Sequence, residues 1–264
     1  MSQLRLTFLG TGGAFTDYRV NYHNNAFVET DEGPVLIDCG TTAVQSLKEL
    51  GRKPWDVAGA VITHTHADHA GGLEQLVWER VYTGPDGAPS WLRTPIYAEH
   101  TVVDHLGQML QHPLEEFADR NGIVQCNGYR RVVEAHGVLR PFEVGGVRFS
   151  LHKTPHVVGP GIDKPTYGVL IERGGKQLYY TGDTTFRPEI GDLFPDSEIL
   201  FHDCFFAPHF KGTVHAHYSE LLSLPGDVRK RIVLMHYTQV PPGVDPVADG
   251  FLGAAARHQT YNIG

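Results

Sequence analysis

Six short apolar runs in this chain each end in a side chain that can bind a metal, and this restricts the possible folds more than any other feature. Val35-Leu36-Ile37 leads into Asp38, and Ala60-Val61-Ile62-Thr63 leads into His64. Residues 149–154 precede His156, 178–180 precede Asp183, 198–201 precede Asp203 and 232–235 precede His236. The runs are short and rich in β-branched and aromatic residues, which predicts strands. Core strands placed at random would not repeatedly deliver polar groups at their carboxyl ends. A scaffold that gathers several strand ends around one site would do so.

Helices are expected between these strands. One spans 41–50, with Thr41 or Thr42 as cap and Gly51 as stop, and another spans 72–81, where Leu73, Leu76, Val77 and Val81 share a face. Others are expected near 101–120, over 219–224, and over 245–257 with Asp245 as cap and Pro246 in the first turn. A hairpin over 140–151, turned at Gly145-Gly146, implies mixed sheets. The whole reads as an α/β chain with one domain over 1–264. Residues 81–137 have Pro/Gly loops and none of the strand-end pattern, so they read as an insertion: a surface cap, a dimer arm or a substrate lid.

Composition narrows the function. With 264 residues, 41% hydrophobic and 20% charged, the chain can bury a sizeable core and is not disordered. No run of 18 apolar residues occurs, and the start MSQLRLTFLG lacks the basic and apolar segments of a secretory leader, so no membrane contact and a cytoplasmic location are expected. Cys39, Cys126 and Cys204 are odd in number and far apart, unlike a disulfide framework. Lys and Arg total 22 against 30 Asp and Glu, a net charge of −8 with no basic run. That charge disfavours long nucleic acid as a partner. A small phosphorylated substrate stays open, because a metal can supply positive charge locally. The 16 histidines are the unusual count, and imidazole is the commonest metal ligand.

Thr63-His64-Thr65-His66-Ala67-Asp68-His69 is the densest group of such ligands. His64 and His66 lie two apart on extended chain and point the same way, while Asp68 and His69 follow in a turn toward a helix. Adding His156, Asp183 and His236 gives enough donors for two divalent cations with positions left for water. His64, His66 and His156 would hold one ion, and Asp68, His69 and His236 the other. Asp183 would bridge them, with a water or hydroxide between ions that in such sites lie roughly 3.5–4 Å apart. The mixed imidazole and carboxylate set suits zinc, with manganese or iron as alternatives.

His64-x-His66-x-Asp68-His69 followed by separate His156, Asp183 and His236 resembles the metallo-β-lactamase superfamily. The resemblance spans the chain, through FLGTGG at 8–13, LIDCG at 36–40, TGDT at 181–184 and MHY at 235–237. It implies a four-layer αββα sandwich with a dinuclear site at one edge, and Asp38 as support for the ligands. Arg19 and Asn21 after the opening glycines, Tyr167-Gly168, and His217-Tyr218-Ser219 look like the branch of tRNA 3′-end endonucleases and smaller relatives that open cyclic nucleotides. Asp183 follows His156 by only 27 residues, which leaves no room for the long basic arm of the bacterial tRNA enzymes. The Asn21-Tyr22-His23-Asn24-Asn25 stretch and the chain's size are similar to the anti-Pycsar phosphodiesterases, enzymes that destroy cyclic mononucleotide signals. A homodimer is implied by the same resemblance, with 81–137 as its natural contact.

The resemblance also implies that His217 is a general acid held by Asp203, although the branch often has Glu in place of that aspartate. Asp68 counts among the catalytic residues as well as the ligands. No role is extended to His215, and His23 reads as core or surface. His100, His105, His112, His136, His152, His202, His209 and His258 read as surface, packing or partner contacts. The Gly10–Gly13 turn lacks the spacing of a phosphate loop. The expected reaction is hydrolysis of a small phosphodiester, above all a cyclic mononucleotide, by the bridging hydroxide, with His217 protonating the leaving alkoxide. Three rivals stand beside it. A tRNA 3′-processing endonuclease would cut precursor tRNA at low salt, and a lactone or ester hydrolase would prefer a lactone to bis(p-nitrophenyl) phosphate. The third is a metal-stabilised binding protein without turnover.

Overall fold

Strict alternation of buried side chains turns the apolar runs into the middle of a sandwich. The computed structural model describes residues 3–208 and 213–264, so His209 lies outside the described residues. The chain opens with β1 (Leu4–Gly10), β2 (Asn25–Thr30), β3 (Gly33–Ile37), β4 (Gly59–Val61) and β5 (Thr94–Ala98). After a two-stranded ribbon, β6 (Phe117–Ala118) and β7 (Val124–Gln125), it continues through β8 (Val133–Gly137), β9 (Phe142–Val144) and β10 (Val147–Lys153). A second small ribbon, β11 (Val158–Gly159) and β12 (Ile162–Asp163), precedes β13 (Tyr167–Arg173), β14 (Lys176–Tyr180), β15 (Ile199–Asp203), β16 (Ile232–Met235), β17 (Gly253–Ala254) and β18 (Thr260–Ile263). One sheet has the order β18-β1-β2-β3-β4-β5-β8 and the other β17-β16-β15-β14-β13-β10-β9.

Side chains one apart on a strand face opposite layers. Val35, Ile37 and Val61 pack between the sheets against Leu178, Tyr180, Phe201, Val233 and Met235. Their neighbours Leu36, Ala60 and Ile62 face outward, under the helices α1 (Ala43–Glu49), α3 (Leu73–Tyr82) and α4 (His100–Gln111). Tyr179, Leu200 and Leu234 face the other way, under α6 (Ile190–Leu193), α7 (Tyr218–Leu221) and α8 (Gly226–Arg229). Two shorter helices, α2 (Ala67–Ala70) and α5 (Gly128–Val132), lie between these in sequence. The result is helix, sheet, sheet, helix. No helix among the described residues is long and apolar enough to cross a membrane.

The parallel pairs position the site. β3 runs parallel to β4, and β14, β15 and β16 run parallel to one another, so their carboxyl ends meet at one edge of the sandwich. The hairpin of β9 and β10 turns through Gly145 (φ 48°) and Gly146 (φ 72°), left-handed positions that a two-residue turn of this type requires.

Three expected helices differ. α4 ends at Gln111, just before Pro113, and 219–224 is reduced to the single turn of α7. No helix forms over 245–257. The Asp245 carboxylate accepts from the amides of Val247 and Ala248, which starts one turn, but Gly250 (φ 91°) then breaks it. The chain past it is drawn into β17 beside β16, and Phe251 and Ala255 on either side are buried in different layers. Residues 81–137 also do more than cover the surface, because they supply β5 and β8 to the first sheet.

Candidate metal centre

Each candidate ligand follows a strand end, and the backbone there is bent to aim it. Asp38 and His236 both have φ 64°, an uncommon conformation for residues other than glycine and one concentrated at functional sites. The turn after β4 is fixed by close packing rather than by the ligands alone. Asn25 donates from Nδ2 to the Asp68 carbonyl (2.9 Å) and accepts at Oδ1 from the Gly40 amide (2.9 Å). A Cβ on Gly40 would lie 1.9 Å from that same carbonyl oxygen. Gly40→Ala is therefore expected to push α2 away and weaken metal binding by about 10- to 100-fold, the scale of losing a ligand's outer support. Competition with a chromophoric chelator would measure this, and unchanged affinity would show that the turn does not depend on the contact.

The fold brings all seven sequence candidates together as two groups that share one carboxylate. The coordinating atoms of His64, His66, His156 and Asp183 lie within 4.8 Å of one another, as do those of Asp68, His69, Asp183 and His236. Asp183 turns Oδ2 toward His64 Nε2 (3.6 Å) and His156 Nε2 (3.5 Å), and Oδ1 toward His69 Nε2 (3.1 Å) and His236 Nε2 (3.3 Å).

Hydrogen bonds outside the cluster decide which ring nitrogens face inward with a lone pair. Asp38 Oδ2 takes the Nδ1 proton of His69 (2.7 Å), and the Val214 carbonyl takes that of His156 (2.9 Å). Thr63 spends its hydroxyl proton on Asp38, so its oxygen is left to accept from His64 Nδ1 (3.0 Å). In all three the Nε2 lone pair is turned into the cluster, the arrangement that metal-bound histidines adopt. Burial holds the His64 and His156 imidazoles below their ordinary pKa, and burial together with the nearby Lys164 charge pushes His66 down to about 4. Neutral rings are what a cation needs.

Asp68 Oδ1, His69 Nε2 and Asp183 Oδ1 are buried and make no well-aligned hydrogen bond among the described residues, although His69 Nε2 and Asp183 Oδ1 lie 3.1 Å apart. An orphaned buried polar atom costs about 1–3 kcal/mol, and three around one point fit divalent cations. Zinc, which takes imidazole and carboxylate donors together, suits the set.

One expected partnership is corrected. Asp203 accepts at Oδ2 from the Thr184 amide (2.9 Å) and from Nδ1 of His215 (2.7 Å), not from His217. Its Oδ1 lies 3.3 Å from Nδ1 of His236, so one carboxylate steadies both a candidate ligand and His215. The His215 ring stacks on His236 at 4.8 Å and lies 5.0 Å from that of His156. Burial disfavours charge on His215, but the adjacent Asp203 carboxylate outweighs it and raises the imidazole above its ordinary pKa. His217 instead caps α7. Its Nδ1 accepts from the Ser219 amide, its Nε2 reaches the Ala207 carbonyl (2.9 Å), and its own amide donates to Glu220 (2.8 Å). The signal was in the sequence, since Glu three residues after a polar residue and before Leu221-Leu222 is a capping-box pattern.

His23 is buried beside the cluster with Nε2 unpartnered, and Asn24 accepts the His236 amide (3.3 Å) while donating to Tyr180. These supports carried no sequence signal beyond the polar run in which they stand.

Known proteins resemble this chain along its whole length. A family profile for anti-Pycsar protein Apyc1 matches residues 4–261. An anti-Pycsar protein Apyc1 of Paenibacillus sp. (strain J14) is 32% identical over 269 residues, covering 98% of this chain and 99% of the relative. One from Bacillus phage 010DV004 is 33% identical over 242 residues, covering 89% of each. Among solved structures, the metallo-β-lactamase fold protein YhfI of Bacillus subtilis superposes with a TM-score of 0.75 at 17% identity, covering 99% of this chain and 100% of that one. The four-layer architecture is thus the metallo-β-lactamase fold.

Proposed function

The chain belongs to the anti-Pycsar protein Apyc1 family and is a metal-dependent phosphodiesterase, and from that premise we propose that its substrates are cyclic mononucleotides. The observation that supports this reading most is the Asp203–His215 pair set against the two ligand groups. A proton donor is thereby held beside the place where a phosphoryl group would be bound.

His64, His66 and His156 would hold one cation, and Asp68, His69 and His236 a second, with Asp183 shared; zinc is the proposed ion for both. When bound, two divalent cations supply Lewis acidity for the phosphoryl oxygens and lower the pKa of water. His215 gives the departing sugar oxygen its proton from Nε2, since Asp203 holds the Nδ1 side. Asp203 keeps the ring turned this way and charged by stabilising the imidazolium. Asp38 and the Val214 carbonyl keep His69 and His156 in the tautomer that binds metal.

The second proposal is a homodimer that meets through 81–137, where Ile123 and Val124 are exposed; light scattering would report its mass. The cysteines are unpaired, which suits the proposed cytoplasmic location.

Metal analysis combined with a panel of cyclic mononucleotides, dinucleotides, precursor tRNA and a lactone tests the main reading. Hydrolysis of cyclic mononucleotides ahead of the rest is expected. Preferential cleavage of precursor tRNA, or of the lactone, would overturn it.

A further inference from the structure

Beside His215 and His236 the surface opens into a cavity of about 600 Å³ whose chemistry differs from that of the metal cluster. Its walls include Phe15, Phe205, Phe206 and Tyr237, with Thr213 and Gln239 as polar groups, and no Lys or Arg is among its described lining residues. These described aromatic walls suit a flat, largely apolar ring with a polar edge.

Phe15 is the informative residue. Its side chain is fully exposed, at 102% of the reference accessibility, although the loop carrying it is anchored before it, where the Gly12 amide donates to the Tyr22 carbonyl (2.8 Å), and after it. Thr16 Oγ1 bonds Thr238 Oγ1 (2.7 Å), and Asn21 donates to the Thr238 carbonyl (3.2 Å). The ring therefore stands at the cavity rim on an anchored loop, exposed rather than packed against the described residues. Across the cavity Phe205 lies nearly parallel to His215, at 27° and 6.5 Å. An aromatic face is thus placed next to the imidazole that would protonate the departing sugar.

We infer that this cavity is the nucleobase subsite, with Phe15 and Phe205 as stacking faces and the Gln239 amide reading the base edge. The inference rests on the proposed phosphodiesterase reading and adds what the enzyme recognises beyond the phosphate. Stacking is tolerant of sequence because every base has a π-face, so several cyclic mononucleotides would be accepted. The amide, both donor and acceptor, would then rank them.

The test compares a cyclic nucleotide with the 3′,5′-cyclic phosphate of an abasic ribose, in wild type, Phe15→Ala, Phe15→Tyr and Gln239→Ala. Phe15→Ala is expected to raise the KM of the nucleotide about 10-fold relative to the abasic compound. Phe15→Tyr is expected to restore it, and Gln239→Ala to change the ranking among bases. Calorimetry with a slowly hydrolysed cyclic phosphorothioate should show the same loss of about 10-fold in affinity for Phe15→Ala at equal metal content. Wild-type turnover with an unchanged KM ratio and unchanged affinity would overturn this inference alone. Absence of wild-type turnover on every phosphodiester would remove the proposed function and this inference together.

Discussion

Asp183→Ala is expected to lose metal and activity in a single step. Its two oxygens face both ligand groups, so truncation removes a donor from each and leaves His69, His236, His64 and His156 without the carboxylate they share. Taking one partner from a buried charged cluster typically costs about 3–5 kcal/mol. At 1.4 kcal/mol per decade that is a loss of roughly 10²–10⁴ in metal affinity, with kcat/KM falling at least as far at limiting metal. Metal content after gel filtration and kcat/KM on a cyclic mononucleotide measure the two losses. A variant that kept its metal would show that Asp183 is not shared.

His215→Ala is expected to retain metal yet lower kcat on a cyclic mononucleotide by about 10²–10⁴, the usual contribution of a positioned general acid. The loss should depend on the leaving group. On bis(p-nitrophenyl) phosphate, whose leaving group is stable as the anion, less than about a tenfold drop is expected. His217→Ala should do the opposite, with kcat nearly unchanged and stability reduced by about 0.5–2 kcal/mol, because that ring caps α7. Were His217→Ala to abolish turnover of the cyclic substrate and His215→Ala to leave it unaltered, the exchange of roles described here would be wrong.

The contrast between these two histidines shows how far the sequence could be read. That candidate ligands such as Asp183 and His236 would converge was legible because they sit at or within three residues of the ends of apolar runs, and a strand end confines where the next residues can go. His215 and His217 lie in a connection, where alternation fixes a shared direction but not a partner. Their partners distinguish them, Asp203 for His215 and Ala207 with Glu220 for His217; only the Glu220 contact, as a capping-box pattern, had a local signature. The failure at 245–257 has a similar cause. Asp245 and Pro246 are a sound helix start, but the edge of β16 and one left-handed glycine, Gly250, decide the outcome. The pairing of β1 with β18, near the two ends of the chain, also has no local signature. Nor could the sequence reveal that Gly40 must lack a side chain, because the carbonyl it touches belongs to a residue 28 positions later.

Four of the seven donors, His64, His66, Asp68 and His69, follow a strand of the first sheet, and the other three follow strands of the second. Neither half of the polypeptide can therefore capture cations as a full set during translation. Loading of both proposed ions would wait until His236 has cleared the ribosome and the two sheets have closed, whereas the group of His64, His66, His156 and Asp183 is complete earlier in the chain.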